Sequence, residues 1–188
     1  FCLPCGPIIE LSGRTLGIVG LGRIGLAVAR IGQAMGMQIV ASSRTSEGPA
    51  TVNDVNVKYV TVNDLFRKSD VISLHCPLTT ETAELVNAER LDLMKPSAFL
   101  INTSRGQLID QMALAEALHE NRLAAAAVDV LETEPPARDN PLLNAPRCLI
   151  TPHVAWYAKE ARARLLAMSA ANLSAFVDGD PQNVVNNK

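Results

Sequence analysis

The sequence predicts an α/β fold, a doubly wound parallel sheet covered on both faces by helices. Three observations carry this. Short apolar, β-branched runs alternate with helix-forming segments along the chain, the pattern of strands joined by crossover helices. The stretch Thr15-Leu16-Gly17-Ile18-Val19-Gly20-Leu21-Gly22-Arg23-Ile24-Gly25 is an apolar run that ends in Gly-x-Gly-x-x-Gly and continues into a helix former. Polar and reactive residues then recur just past the predicted strands, at 20–25, 42–45, 75–77, 103–105, Asp129 and 151–153. In such sheets the carboxyl ends of the strands share one edge, and ligands sit outside it.

Residues 1–13, with Pro4, Gly6, Pro7 and Gly13 and no periodicity, read as a linker. The first strand covers 15–19 and the first helix 23–35, closed by Gly36. The second strand is 38–42. Residues 44–58 are polar, contain Gly48 and Pro49, and read as a loop, with 57–60 a short third strand. Thr61 caps a short helix, and Asp64 suits the positive end of its dipole. Residues 71–74 are a buried parallel strand that runs into His75-Cys76 and stops at Pro77. A short helix covers 87–94, and a strand at 98–101 leads into Asn102-Thr103-Ser104-Arg105-Gly106. Asp110 caps a helix to His119, and 124–130 is a strand. Pro135, Pro136, Pro141 and Pro146 make 133–147 irregular. The last strand, 148–151, ends at Pro152-His153. One long helix spans 158–177 and stops at Gly179; Leu166, Ala170, Leu173 and Val177 fall on one apolar stripe.

Length and composition bound the function. The chain has 188 residues, enough for one α/β domain and short for two. A formal net charge of -2 gives no basic excess of the kind that marks nucleic-acid binding. No apolar run reaches membrane-spanning length. The first residue is Phe1, which we read as the start of a cut or processed fragment. Cys2-x-x-Cys5 has zinc or redox spacing, but no partner pair follows it, so the reading is a terminal segment and no metal site. Cys76 and Cys148 flank apolar runs and read as small core residues; free thiols of this kind suit a reducing cytosol.

The glycine motif carries a specific chemistry. Gly20 permits the turn, Gly22 lets a pyrophosphate approach the backbone, and Gly25 lets the helix pack close to the strand, while the helix start offers N–H groups and a positive dipole end. A cofactor with a free 2′-hydroxyl usually meets an acid about 20 residues further on. Here Ser42-Ser43-Arg44-Thr45 stands in that place, and no acid comes before Glu47. Hydroxyls and an arginine suit a 2′-phosphate, so NAD(P) is expected, with NADP(H) favoured.

Three further residues invite a catalytic reading: Arg105 after a strand, Glu134 in Leu131-Glu132-Thr133-Glu134-Pro135-Pro136, and His153 in Thr151-Pro152-His153-Val154-Ala155-Trp156. Each alone has an ordinary structural explanation. Together with the glycine motif, Leu74-His75-Cys76-Pro77-Leu78-Thr79, Asn102–Gly106 and Asp129-Val130-Leu131, they resemble the D-isomer-specific 2-hydroxyacid dehydrogenases over nearly all of 11–188. The run His153–Trp156 and the ending Pro181-Gln182-Asn183-Val184-Val185-Asn186 look like the glycerate dehydrogenase/hydroxypyruvate reductase branch.

The resemblance implies a Rossmann-type dinucleotide-binding domain at 14–157 and a C-terminal helix and tail at 158–188 that return to a substrate domain. That domain would be built by a preceding segment of roughly a hundred residues, so it is expected to be largely absent here. The apolar stripe from Leu166 to Val177 is then expected to be exposed or covered by another chain. The implied roles are His153 as proton donor to the carbonyl, Glu134 as its partner, and Arg105 as the grip on the substrate carboxylate. The cofactor set is Gly20, Gly22, Arg23, Ile24, Gly25, Ser43, Arg44, Thr45, Cys76, Pro77, Thr82, Thr103, Ser104, Asp129 and Ala155. The expected enzyme takes a small 2-oxo or 2-hydroxy acid such as hydroxypyruvate or glyoxylate, is a cytoplasmic homodimer, and binds neither nucleic acid nor membrane. This chain alone is expected to be weakly active or inactive. The alternatives are a dinucleotide-sensing interaction module of the co-repressor type, which keeps the same three residues, and a relative retaining only a structural domain.

Overall fold

The structure is a computed structural model that describes residues 8–43 and 48–186. The chain divides after Pro152 into two compact units, 1–152 and 153–188.

The first unit is built on an eight-stranded sheet. In chain order the elements are β1 (Thr15–Val19), α1 (Arg23–Ala34), β2 (Gln38–Ser42), β3 (Gly48–Val52), β4 (Val55–Tyr59), α2 (Val62–Lys68), β5 (Val71–Leu74), α3 (Ala88–Asp92), β6 (Phe99–Asn102), α4 (Gln111–His119), β7 (Ala125–Val128) and β8 (Cys148–Ile150). Single 3-10 turns lie at Gly106–Leu108 and Pro141–Asn144. The strand order is β3-β4-β2-β1-β5-β6-β7-β8. Successive strands step outward from β1 to β2 and β4. The chain then returns through α2 to lay β5 on the other side of β1 and steps outward again. The reversal between β1 and β5 is the place where a crevice opens at the strands' carboxyl ends.

Every pairing is parallel except β3 with β4. This hairpin corrects the expectation of a loop over 44–58 within the described residues 48–58, while the strand expected at 57–60 is present as β4 and begins at Val55. Its turn is Asn53-Asp54, both at positive φ (46° and 67°), a conformation that Asn and Asp tolerate better than most residues. β3 has mostly exposed residues and no apolar alternation, so hydropathy gave no sign of it. Smaller shifts move the strand expected at 98–101 to Phe99–Asn102 and shorten the one expected at 124–130 to Ala125–Val128.

Side chains alternate between the faces. On one face, Ala29 of α1 packs with Leu16, Ile18, Ile39, Ala41, Val55 and Val57. On the other, Leu65 and Phe66 of α2, Leu91 of α3, and Leu114 and Leu118 of α4 pack on Val19, Val40, Ile72, Leu74, Leu100 and Val128. Burial of each such large side chain contributes about 1.5–3 kcal/mol. Helices pack on both faces of the sheet, as expected, but the coverage is uneven. Within this unit α1 covers its face only over β1, β2 and β4. Beyond them, Val71, Phe99, Ile101, Ala125, Ala127 and Leu149 line an open cavity of about 790 Å³. Leu149 is 64% exposed. Cys148, expected in the core, is only partly buried and lines this cavity, whereas Cys76 is buried.

Asp70 ties the foot of the sheet. Its carboxylate accepts the N–H of Thr15 and the Nζ of Lys95, both at 2.8 Å. Burial opposes ionisation of Asp70, but the Lys95 hydrogen bond, the Thr15 N–H and the charges of Lys95 and Arg14 outweigh it and hold its carboxyl below the usual range.

The second unit contains α5 (Lys159–Val177), with no buried residue along its length. Leu166, Leu173 and Val177 are 70%, 65% and 76% exposed, as expected for the stripe. Among the described residues no helix is long and apolar enough to cross a membrane.

Candidate active site

The turn between β1 and α1 comes first. Gly20 has φ +93°, and a Cβ there would lie 2.6 Å from the backbone nitrogen of Cys76. Glycine is therefore required both for the turn and for the close approach of β1 to the end of β5. The His75 N–H donates to the Val19 carbonyl at 2.7 Å across the same junction. A Cβ on Gly25 would run into the Gly20 carbonyl oxygen, so α1 starts as close to the strand as a helix can.

At Gly22, by contrast, a Cβ would meet nothing within 4 Å. Gly22 caps α1 without a side-chain hydrogen bond, and the first turn holds no acid. The first N–H groups of a helix have no intrahelical acceptors. Open space, free donors and the positive dipole end thus face outward together, and this cradle fits a pyrophosphate. Arg23 and Ile24 form the first turn. Ser43 follows β2, whose Ser42 pairs with Val19. Arg44 and Thr45 lie outside the described residues, as do Cys2 and Cys5.

Past β5, Thr82 Oγ1 donates to the Pro77 carbonyl and accepts the Thr79 N–H, both at 2.7 Å, so Pro77 and Thr82 belong to one turn. Burial raises the Cys76 thiol pKa, which keeps it protonated and unreactive near neutral pH. Burial also lowers the His75 pKa, and its Nε2 lies 2.9 Å from Ser73 Oγ.

Past β6, the fully buried Asn102 organises the next turn. Its Oδ1 accepts the Ser104 N–H at 3.0 Å, and its Nδ2 donates to the Arg105 carbonyl at 2.8 Å. Ser104 Oγ donates to the Leu74 carbonyl at 2.7 Å, linking this turn to β5. Thr103 and Arg105 are left exposed. The Arg105 Nη1 donates to the Ser104 carbonyl at 2.6 Å. A planar guanidinium has five N–H donors in a fork, so this bond leaves others for a carboxylate.

Past β7, the N–H of Asp129 donates to the Asn102 carbonyl at 2.9 Å, and Thr151 Oγ1 donates to Asp129 Oδ1. Further on, Glu134 Oε1 accepts the Leu131 N–H at 2.9 Å. The turn of Arg105 and the loop of Glu134 touch. A Cβ on Gly106 would collide with the Leu131 carbonyl, and Gln107 Nε2 donates to the Glu132 carbonyl at 2.8 Å.

His153 opens the second unit at φ +55°, an uncommon conformation for a residue with a side chain. Its carbonyl accepts the Trp156 Nε1–H at 2.9 Å. Trp156 and Tyr157 meet edge to face at 5.2 Å, and the Arg162 guanidinium lies 4.4 Å from the Tyr157 ring centre. Ala155 lies between them in sequence.

Residues 5–155 match the family described as D-isomer specific 2-hydroxyacid dehydrogenase, NAD binding domain. The chain belongs to this family. A hydroxypyruvate reductase of Blautia hydrogenotrophica is 47% identical over 180 residues, covering 96% of this chain and 55% of the relative. A D-lactate dehydrogenase of Lactobacillus jensenii, solved with NAD+, superposes with a TM-score of 0.87 at 31% identity, over 100% of this chain and 60% of that one. An acyclic imino acid reductase, Bsp5, solved with NADPH and D-Arg, gives 0.85 at 34% identity, over 98% and 58%. The chain thus spans little more than half the length of the dehydrogenases it matches, and its sheet is their dinucleotide-binding domain.

Within the family reading, Asn102, Gln107 and Thr151 are the residues that sequence reasoning did not single out. Asn102 stood inside a quoted motif. Its role became visible only with its burial, since a buried amide must find hydrogen-bond partners.

Proposed function

We propose that this chain is the cofactor-binding part of an enzyme that reduces a small 2-oxo acid, hydroxypyruvate or glyoxylate, to the 2-hydroxy acid, with NADPH favoured over NADH. When bound, the nicotinamide supplies the hydride. The first-turn N–H groups of α1 hold the pyrophosphate. Arg105 grips the substrate carboxylate and polarises the carbonyl, work suited to a two-pronged donor. His153 gives the proton to the carbonyl oxygen, and Glu134 keeps its imidazole oriented and charged. Asp129 would serve the nicotinamide side of the cofactor, and Thr103, Ser104, Cys76, Pro77, Thr82 and Ala155 would help to hold it. The lack of an acid before Glu47 and the run Ser43-Arg44-Thr45 support the NADPH preference. We assign 14–157 to the cofactor domain and 158–188 to a helix and tail that close a substrate domain, in a homodimer.

The observation that carries this reading is the Asn102-held turn, which leaves Arg105 exposed at the strand ends beside the loop of Glu134. The test is consumption of NADPH with hydroxypyruvate by the chain together with its flanking coding sequence. The His153→Ala variant is expected to lose turnover by roughly 10²–10⁴-fold with cofactor affinity intact. Lost cofactor affinity with normal turnover per bound cofactor would refute the assignment of His153.

A further inference from the structure

The two side chains of the first unit with proposed catalytic roles, Arg105 toward the substrate carboxylate and Glu134 toward the His153 imidazole, are both exposed. Core packing therefore does not fix them. Their positions depend on how the two loops that carry them are tied, and Gln107 stands at that tie. Its side-chain Nε2 donates to the Glu132 carbonyl at 2.8 Å. Its backbone carbonyl accepts the Glu84 N–H at 2.9 Å. One residue further on, the Leu108 N–H donates to the Arg105 carbonyl. Gly106 brings the chain so close to Leu131 that no side chain fits between them. The Glu132 carbonyl lies between Leu131, whose N–H is held by Glu134 Oε1, and Glu134 itself.

We infer that Gln107 is a positioning residue. Its side-chain amide holds the loop 131–134 against the turn 105–108 and so fixes the Glu134 carboxylate relative to the Arg105 guanidinium. The inference rests on the proposed function. Gln107 touches neither substrate nor cofactor and acts through the two loops. Misplacement of reacting groups by about 1 Å can cost on the order of 10²-fold in rate, so a single such bond has room to matter.

The test uses Gln107→Glu, which keeps the size but replaces the donor with a carboxylate, and Gln107→Lys, which restores a donor. Two readouts are taken on the chain together with its flanking coding sequence: amide hydrogen exchange at Leu131 in the cofactor-free protein, and steady-state kinetics with hydroxypyruvate. Gln107→Glu is expected to speed exchange at Leu131 and to lower kcat/KM about tenfold, with the cofactor Kd unchanged. Gln107→Lys is expected to restore most of both. A lower Tm with unchanged kcat/KM, or unchanged exchange at Leu131, overturns the inference. Arg105→Lys, run in parallel, separates the two ways of failing. Unchanged substrate kinetics in Arg105→Lys overturns the role proposed for Arg105 and this inference with it. A damaged Arg105→Lys beside an intact Gln107→Glu overturns this inference alone.

Discussion

Thr151, one residue past β8, donates its hydroxyl hydrogen to the carboxylate of Asp129, one residue past β7. The bond joins the ends of two neighbouring strands at the edge where the cofactor is proposed to lie. Asp129 is 5% exposed, so loss of a donor is felt. Thr151→Val is expected to cost about 1–3 kcal/mol of stability and to weaken dinucleotide binding several-fold. Denaturant unfolding and fluorescence titration measure these; wild-type values in both would show that the bond is dispensable.

Arg105→Lys keeps the charge and removes the fork. The expected outcome is a rise in KM for the 2-oxo acid together with a fall in kcat, because a point charge cannot make the paired bonds. Unchanged kinetics would strike Arg105 from the site.

Asp70 gives a pH dependence. Its carboxyl is held below the usual range in the folded chain, so the unfolded state binds its proton more readily. The stabilisation is therefore fully present above the unfolded carboxyl range and is lost as pH falls through the depressed folded pKa. Asp70→Asn is expected to cost about 1 kcal/mol at neutral pH and to flatten the acid limb of a stability–pH curve. An unaltered acid limb would contradict this.

Gly106→Ala places a methyl group against the Leu131 carbonyl. Separation of the two loops is expected to lower stability by about 1–3 kcal/mol and to cut activity more than Thr151→Val does. A thermal melt beside a rate assay tests it, and a neutral result would mean the loops part without consequence.

The sheet face around Ile101, Ala127 and Leu149, which lines an open cavity among the described residues of the first unit, is expected to bind an apolar fluorescent dye when the 188-residue chain is prepared by itself. Leu149→Glu is expected to reduce the signal; a chain that never binds the dye would show that the face is covered in solution.

Most of the sheet could be read directly from residue order. Glycine spacing located β1 and α1, and apolar runs located β5 and β6. Those runs point both faces inward, so hydrophobicity alone marks them. β3 escaped because an exposed edge strand carries no such mark; only the turn pair Asn53-Asp54 gave it away. Arg105 and Glu134 were found through family likeness, since nothing in an exposed arginine or a loop glutamate is distinctive in isolation. The ties that hold them, through Asn102 and Gln107, were not legible. A side-chain amide can bond almost any carbonyl, and which one it meets is settled only when β6 and β7 lie side by side.

The bare start of α1 at Gly22 ties the chain's folding stability to whatever occupies it. An occupant that completes that helix end binds the folded chain and not the unfolded one, and at a hundred times its Kd it adds about 2.7 kcal/mol to folding. Without that occupant the same chain would open more often and meet proteases sooner.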